Sequence, residues 1–302
     1  MFRRVLFTGA LVFVSLFAYS TASKSATESR PPSPNPAAAS PSPAASATPA
    51  AGPMDALAWR NVGPALAGGR LAALTGTARD PSLVYAASAG GGVWKSTNGT
   101  TSWTPVFDKQ DVGSTGAVAI SPRDENDVWV GTGESNPRND VSYGDGVYRS
   151  RDGGKTWTCL GLQDSYAISK IALDPRDPNV AVVAALGDPF RDSAERGVYR
   201  TADGGKTWQR TLSLSPSTGA ADLARSATDP NELFAAMWQF HRSSWHLTSG
   251  GSADGLYKSS DGGATWRRVT GDGFAAGITG RIGVAVAPSD ARRVYAIVEA
   301  AS

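Results

Sequence analysis

The sequence predicts an all-β fold built from four-stranded β-propeller blades, with four complete blades and the start of a fifth in an incomplete ring. Three observations carry this. The stretch SRDGGKTW (150–157) returns as TADGGKTW (201–208) and SSDGGATW (259–266), with a worn copy STNGTTSW at 96–103. The four tryptophans, Trp103, Trp157, Trp208 and Trp266, are 54, 51 and 58 residues apart, a period that suits four short strands and their turns. Finally, the apolar runs between the boxes are short and separated by turn signals, and none shows a helical period.

Each unit reads as segments A to D. Segment A is a short apolar run: LAALTGT, GAVAIS, SKIALD and DLARSA in turn. A turn rich in Asp, Pro and Asn follows and leads into segment B, in ARDPSLVYAA, SPRDENDVWVG, DPRDPNVAVVAA and ATDPNELFAA. Segment C is GVWKS, GVYRS, GVYRT or GLYKS, and it runs directly into the box. The predicted blades span about 68–108, 113–162, 166–214 and 219–271, with a partial fifth at 279–302 that supplies segments A and B. The open edges of such an arc predict self-association or closure by a partner.

The box predicts a tight hairpin between segments C and D. The glycine pairs Gly153–Gly154, Gly204–Gly205 and Gly262–Gly263 supply left-handed backbone. The carboxylates of Asp152, Asp203 and Asp261 are placed to accept backbone N–H groups within the turn, with Ser150 and its counterparts adding local bonds. Trp157, Trp208 and Trp266 are expected to pack between blades. The Gly-Lys-Thr within two boxes is no phosphate loop. Arg149 and Arg200 stand where such a loop needs its first glycine.

Upstream, Arg3 and Arg4 precede an apolar run from Val5 to Tyr19 and small residues at Ser20–Ala22, the pattern of a secretory signal over 1–22. Residues 23–53 hold eight of the nineteen prolines and read as a solvated linker. The formal charge is +2, and removal of Arg3 and Arg4 leaves a neutral chain. This argues against a nucleic-acid partner, and the short apolar run argues against membrane insertion after cleavage. The protein is expected to be secreted or periplasmic, and tethered to the membrane if the signal is left uncleaved. The single cysteine, Cys159, excludes an internal disulfide and is expected to be buried. No metal or cofactor is expected.

The pattern S-x-D-G-G-x-T-W resembles the Asp-box, or bacterial neuraminidase repeat. WRNVGPALAGGRL (59–71), GTGESNPRNDVSYGDGVYRS (131–150), ERGVYRTADGGKTW (195–208) and AAMWQFHRSSWHLTSGGSADGLYKSSDGG (235–263) resemble bacterial sortilin-like Asp-box proteins often labelled glycosyl hydrolase. Members of that group are usually longer, so the resemblance implies that this chain is the N-terminal part of a larger propeller.

The four-strand order puts the boxes at one end of each blade and the B–C loops at the other. Those loops hold 8, 18, 16 and 22 residues between the central aromatic or valine positions of segments B and C, longer than the fold needs in three of four units. They carry weak catalytic candidates, Glu134, Asp140, Asp188 and Asp192. They also carry binding candidates: Arg138, Tyr143, Arg191, Trp238, His241, Trp245 and His246. Arg70 and Arg281 open the inner segments of units 1 and 5 and should join them. Aromatic rings and arginines suit a sugar or an extended peptide. The sialidase-like Arg-Ile-Pro is absent, and Ala89 stands where the xyloglucanase pattern has a catalytic Asp. The leading expectation is therefore an exported binding or scaffold propeller for an extracytoplasmic protein, peptide or glycan. The alternative is a sialidase-like or xyloglucanase-like glycoside hydrolase whose catalytic residues lie partly outside this chain.

Overall fold

The computed structural model describes residues 69–300 apart from 272, 276 and 291. The expected signal and linker, and most of the 59–71 stretch, lie outside the described residues. Blade 1 comprises β1 (Leu71–Gly76), β2 (Val84–Ser88), β3 (Gly92–Ser96) and β4 (Thr104–Pro105). Blade 2 comprises β5 (Thr115–Ile120), β6 (Val128–Thr132), β7 (Val147–Ser150) and β8 (Thr158–Cys159). Blade 3 comprises β9 (Ile168–Leu173), β10 (Ala181–Ala185), β11 (Gly197–Thr201) and β12 (Gln209–Leu212). Blade 4 has β13 (Thr218–Arg225), β14 (Leu233–Arg242), β15 (Leu247–Ser249), β16 (Gly255–Ser259) and β17 (Arg267–Arg268). Blade 5 is the pair β18 (Thr279–Val286) and β19 (Val294–Ala300). Blades 1 to 3 are antiparallel meanders, and β15 is an extra strand paired with β14.

The boxes close on themselves in one repeated pattern. In blade 2, Ser150 Oγ donates to Asp152 Oδ1 at 2.7 Å and accepts from Gly154 N–H at 2.8 Å. Asp152 also accepts from the Thr156 amide and hydroxyl at 2.9 and 2.6 Å. Blades 3 and 4 repeat this through Thr201, Asp203 and Thr207, and through Ser259, Asp261 and Thr265. The worn box of blade 1 keeps the geometry with Asn98 as acceptor for the Ser102 amide, and Thr100 takes the left-handed backbone at φ 70°.

Each box is then tied to the first turn of its own blade. The N–H of Gly99, Gly153, Gly204 and Gly262 donates to the carbonyl of Ser82, Asn126, Asn179 and Asn231 respectively, at 2.9–3.0 Å. Those turns are shaped by Asp80, Asp124, Asp177 and Asp229, whose carboxylates accept the amide two residues on. The box tryptophans of blades 2 to 4 reach the preceding blade. Trp157 and Trp208 Nε1 donate to the Val106 and Leu160 carbonyls at 2.7 Å, and Trp266 donates to Thr211 Oγ1 at 3.1 Å.

The core is a series of junctions between blades rather than one central mass. One apolar residue of each inner strand enters the blade before it: Val118, Ile171, Leu223 and Val284, all buried. The matching Leu74 of blade 1 is 63% exposed. The junctions demand small residues on the receiving face. A Cβ on Gly131 would lie 2.3 Å from the Ile168 side chain. All five inner strands carry a bulge near their start, at Ala72, Gly116, Ser169, Ala221 and Gly280–Arg281. A bulge bends the strand and re-aims a side chain, here at the loop end of the arc. Among the described residues no helix is long and apolar enough to cross a membrane.

Two expectations need correction. Cys159 is exposed, because β8 is a two-residue outer strand with nothing laid over it. The 22-residue loop of blade 4 is largely strand: β14 runs on to Arg242 and pairs back with β15 through Phe240–Ser249, His241–Thr248 and Arg242–Leu247.

The box carboxylates predict an acid limb of unfolding. The Thr207 hydroxyl and amide, then Thr201, hold Asp203 down at about 2. At Asp261, burial pushes upward, but bonds from Thr265 and Ser259 prevail and give about 2. Because the folded value lies below the unfolded one of about 4, this contribution is complete above pH 4 and lost as pH falls toward 2. Tryptophan fluorescence should show unfolding in that window. In Asp203→Ala the midpoint of heat unfolding at pH 7 should fall, and its dependence on pH between 4 and 2 should be shallower than in the parent.

Candidate functional site

At the loop end, the inner strands and the blade 2 loop (133–146) form the floor of the site. The loop reaches across the arc. Arg70 of blade 1 pairs with Glu134 and donates to the Asn136 carbonyl at 3.1 Å, while Arg281 of blade 5 donates to Asn136 Oδ1 at 2.9 Å. Asn136 thus joins arginines from the first and last blades. Beside it lies a cavity of about 200 Å³ lined by Ala72, Ser169, Lys170, Asp222, Arg281 and Asn136. Three of these, Ala72, Ser169 and Arg281, are bulge residues, so the kinks in the inner strands make this space. Lys170 Nζ and Asp222 Oδ1 face each other at 3.8 Å, and Asp222 Oδ2 accepts the Val284 amide at 2.9 Å. The lining mixes donors and acceptors, which suits a polar ligand.

The extended β14–β15 hairpin covers the loops of blades 2 and 3. Arg242 donates from Nε to Asn139 Oδ1 at 2.7 Å, and its amide donates to the Pro189 carbonyl at 2.7 Å. Its exposed tip carries Trp245, 88% exposed, between His241 and His246. Tyr143 of the blade 2 loop is 68% exposed, with its ring centroid 6.2 Å from that of Tyr166. Exposed rings offer flat apolar surface where a sugar ring can stack.

The remaining candidates divide by burial. Trp238, expected on the binding face, is instead buried at 2%. It stacks on Phe240 with centroids 4.4 Å apart, donates to Ser249 Oγ and carries Arg281 over its ring. Trp238 is still paired with Gly219 of β13, and it lies in a buried cluster with Ala167, Leu186, Ala221 and Phe240, which turns it inward. Glu134 and Asp188 are buried, and each is engaged by an arginine, Arg70 and Arg191 respectively, the latter at 2.7 Å. Asp140 and Arg138 form an exposed pair at 3.5 Å, and Asp192 is exposed. The histidines are exposed, and among the described residues no group of three His, Cys, Asp or Glu side chains is placed to hold a metal.

In blades 2, 3 and 4, sequence reasoning missed the residue one or two places before the third strand. Arg196 is fully buried, lies over the Phe240 ring, and donates to the carbonyls of Ser217, Phe240, Asp188 and Arg191. Asp254, also fully buried, accepts the Gln239 and Gly251 amides at 2.7 and 3.1 Å. In blade 2, Asp145 accepts the Tyr148 hydroxyl at 2.6 Å. These three side chains clamp the loops to the blades. Their shared place in D-G-V-Y, R-G-V-Y and D-G-L-Y is the signal that could have found them.

Burial pushes the Asp254 carboxyl up to about 7, against the backbone amides and Arg268, which favour its anion. The folded value lies above the unfolded value of about 4, so the folded chain holds the extra proton and loses stability as pH rises from 4 to 7. Carboxyl-carbon NMR should follow Asp254 with a midpoint near 7, together with shifts at the Gly251 and Gln239 amides. A midpoint near 4 would contradict the burial of this group.

Known proteins fit this architecture. A family model described as "Sortilin, neurotensin receptor 3" matches residues 145–274. A xyloglucanase of a Paenibacillus species is 25% identical over 245 residues, covering 73% of this chain and 23% of the relative. A xyloglucanase of Hypocrea jecorina is 26% identical over 242 residues, covering 72% of this chain and 28% of the relative. The chain therefore spans about a quarter of the length of the curated relatives it matches. Among solved structures, a GH74 enzyme of Niastella koreensis superposes with a TM-score of 0.55 at 19% identity, covering 75% of this chain and 34% of that one. An ancestral GH74 enzyme gives 0.56 at 19% identity over 76% and 28% of the two chains. The chain is thus built of Asp-box propeller blades, matches the sortilin family model over residues 145–274, and is similar over most of its length to proteins named xyloglucanase.

Proposed function

We propose that this chain forms part of the glycan-binding propeller surface of an extracytoplasmic glycoside hydrolase acting on xyloglucan or a closely similar β-glucan. The observation that supports it best is that relatives named xyloglucanase align along more than 70% of the chain. They favour the hydrolase over the scaffold that the loops alone suggested. The site is compatible with a polysaccharide: the cavity lining offers hydrogen-bond donors and acceptors, and Trp245 and Tyr143 present exposed rings. Hydrolysis needs two carboxylates flanking one bond. Glu134 and Asp188 are buried against arginines, which leaves the exposed Asp192 and Asp140, the latter in a solvent-exposed pair with Arg138, as the candidates able to meet substrate. The remainder of the machinery is proposed to lie in regions that the relatives have and this chain does not cover.

Affinity electrophoresis against xyloglucan, with reducing-end assay in parallel, tests this. Binding should weaken about five- to tenfold in Trp245→Ala, the loss of one stacked ring. Product release that disappears in Asp140→Asn or Asp192→Asn would place that residue at the bond. Retention of xyloglucan with no product would favour the glycan-binding scaffold. No retention at all would overturn the assignment of this face.

A further inference from the structure

The box end holds a second cavity, of about 600 Å³, on the outer rim between blades 1 and 2. Its walls include Lys95 from β3, Lys109 and Gln110 after β4, and Lys155 and Trp157 from the second box, with Asp108 as the one carboxylate in the lining. The repeat supplies an internal comparison. Every third strand carries a cation at the same place: Lys95, Arg149, Arg200 and Lys258. In blades 2 and 4 an acid stands at the start of the second strand and neutralises it. Asp127 grips Arg149 with both oxygens at 2.7 and 2.6 Å, and Glu232 pairs with Lys258. In blades 1 and 3 that position is Leu83 or Val180.

The next box decides the rest. At the junction of blades 1 and 2 it adds a second cation, Lys155. At the junction of blades 3 and 4 the equivalent residue is Ala264. Lys206 occupies that place at the junction of blades 2 and 3, but there Asp127 already satisfies Arg149. Among the described junctions, the first alone combines two ammonium groups without a paired acid. Lys95 Nζ donates to the Gly153 carbonyl at 3.0 Å and lies over the Tyr85 ring, 5.4 Å from its centroid. Asp152 lies close by, yet its oxygens are taken by the box. Burial first, then the charge of Lys155, holds the Lys95 ammonium below its ordinary value against the pull of Asp152. An uncompensated, partly buried charge is costly, and a bound anion removes the cost.

We propose that this cavity is an oxyanion site, with Lys95 and Lys155 as the principal donors, taking a phosphate or sulfate group either free or carried on a glycan. It is independent of the loop-end surface and of how that surface is used. It is also unlike a phosphate loop, because the box amides at Lys155 and Thr156 are spent on Asp152. The anion is held by side chains converging from two blades.

Amide NMR titration of the whole chain at constant ionic strength tests it, using inorganic phosphate, inorganic sulfate, low-mass dextran sulfate and plain dextran. Saturable shifts at Gly153, Gly154 and Lys155 are expected. Lys155→Ala, at an exposed position, should weaken binding about tenfold, as loss of a charge-assisted bond does. Lys95→Gln should weaken it similarly, and Lys206→Ala at the next junction should leave it unchanged. Saturation by phosphate or sulfate identifies a free ion, whereas saturation by dextran sulfate alone identifies a glycan-borne group. Shifts that stay linear for every anion, or that survive Lys155→Ala in a folded variant, would overturn the site.

Discussion

The hydrogen bond from the first box glycine to the turn between the first two strands of its own blade underlies this architecture. It recurs four times with nearly the same length, 2.9–3.0 Å, although blade 1 has lost both the aspartate and the second glycine of its box. The bond fixes the box hairpin over the inner turn, and this sets where the box tryptophan emerges. The tryptophan then finds an acceptor on the preceding blade. A local turn thereby becomes the register between blades, which explains why an exposed motif is repeated so closely.

The blades bury little alone. Their inner strands push one apolar residue back into the preceding blade, and the receiving strand answers with Ala or Gly. Such cores are one-dimensional: each blade is stabilised by its neighbours. Leu74 at one end and Tyr295 and Ile297 at the other remain exposed because no described blade covers them. Close packing also constrains the chain at Gly116, where a Cβ would meet the Gly133 and Ile168 carbonyl oxygens at 2.3 and 2.4 Å.

The two ends of the blades divide the work. At the box end the box carboxylates and hydroxyls are used within the turns. At the loop end, buried Arg196 and Asp254 tie the loops of blades 3 and 4 to their strands, while Arg70 and Arg281 hold Asn136 of the blade 2 loop. An arginine making several bonds to carbonyl oxygens can order several loops at once, because its five donors lie in a planar fork. The bulges at the same place in all five inner strands widen the floor between them.

The sequence alone determined the repeat, the four-strand order and the hairpin chemistry of the boxes, because these depend on neighbours within about eight residues: glycine dihedrals, side-chain caps and strand alternation. It also drew attention to Arg70, Glu134 and Arg281. Only the tertiary structure decided that Asn136 joins those arginines across 145 residues of sequence, that Trp238 faces inward, and that Arg196 and Asp254 are clamps rather than surface charges. The same holds for Lys95: its environment is set by what blade 2 brings to it and by Leu83 standing where blades 2 and 4 have an acid. Local preference is written in adjacent residues. The burial and charge balance of a side chain between blades depend on which distant residue lies opposite, and that is fixed only when the blades stack.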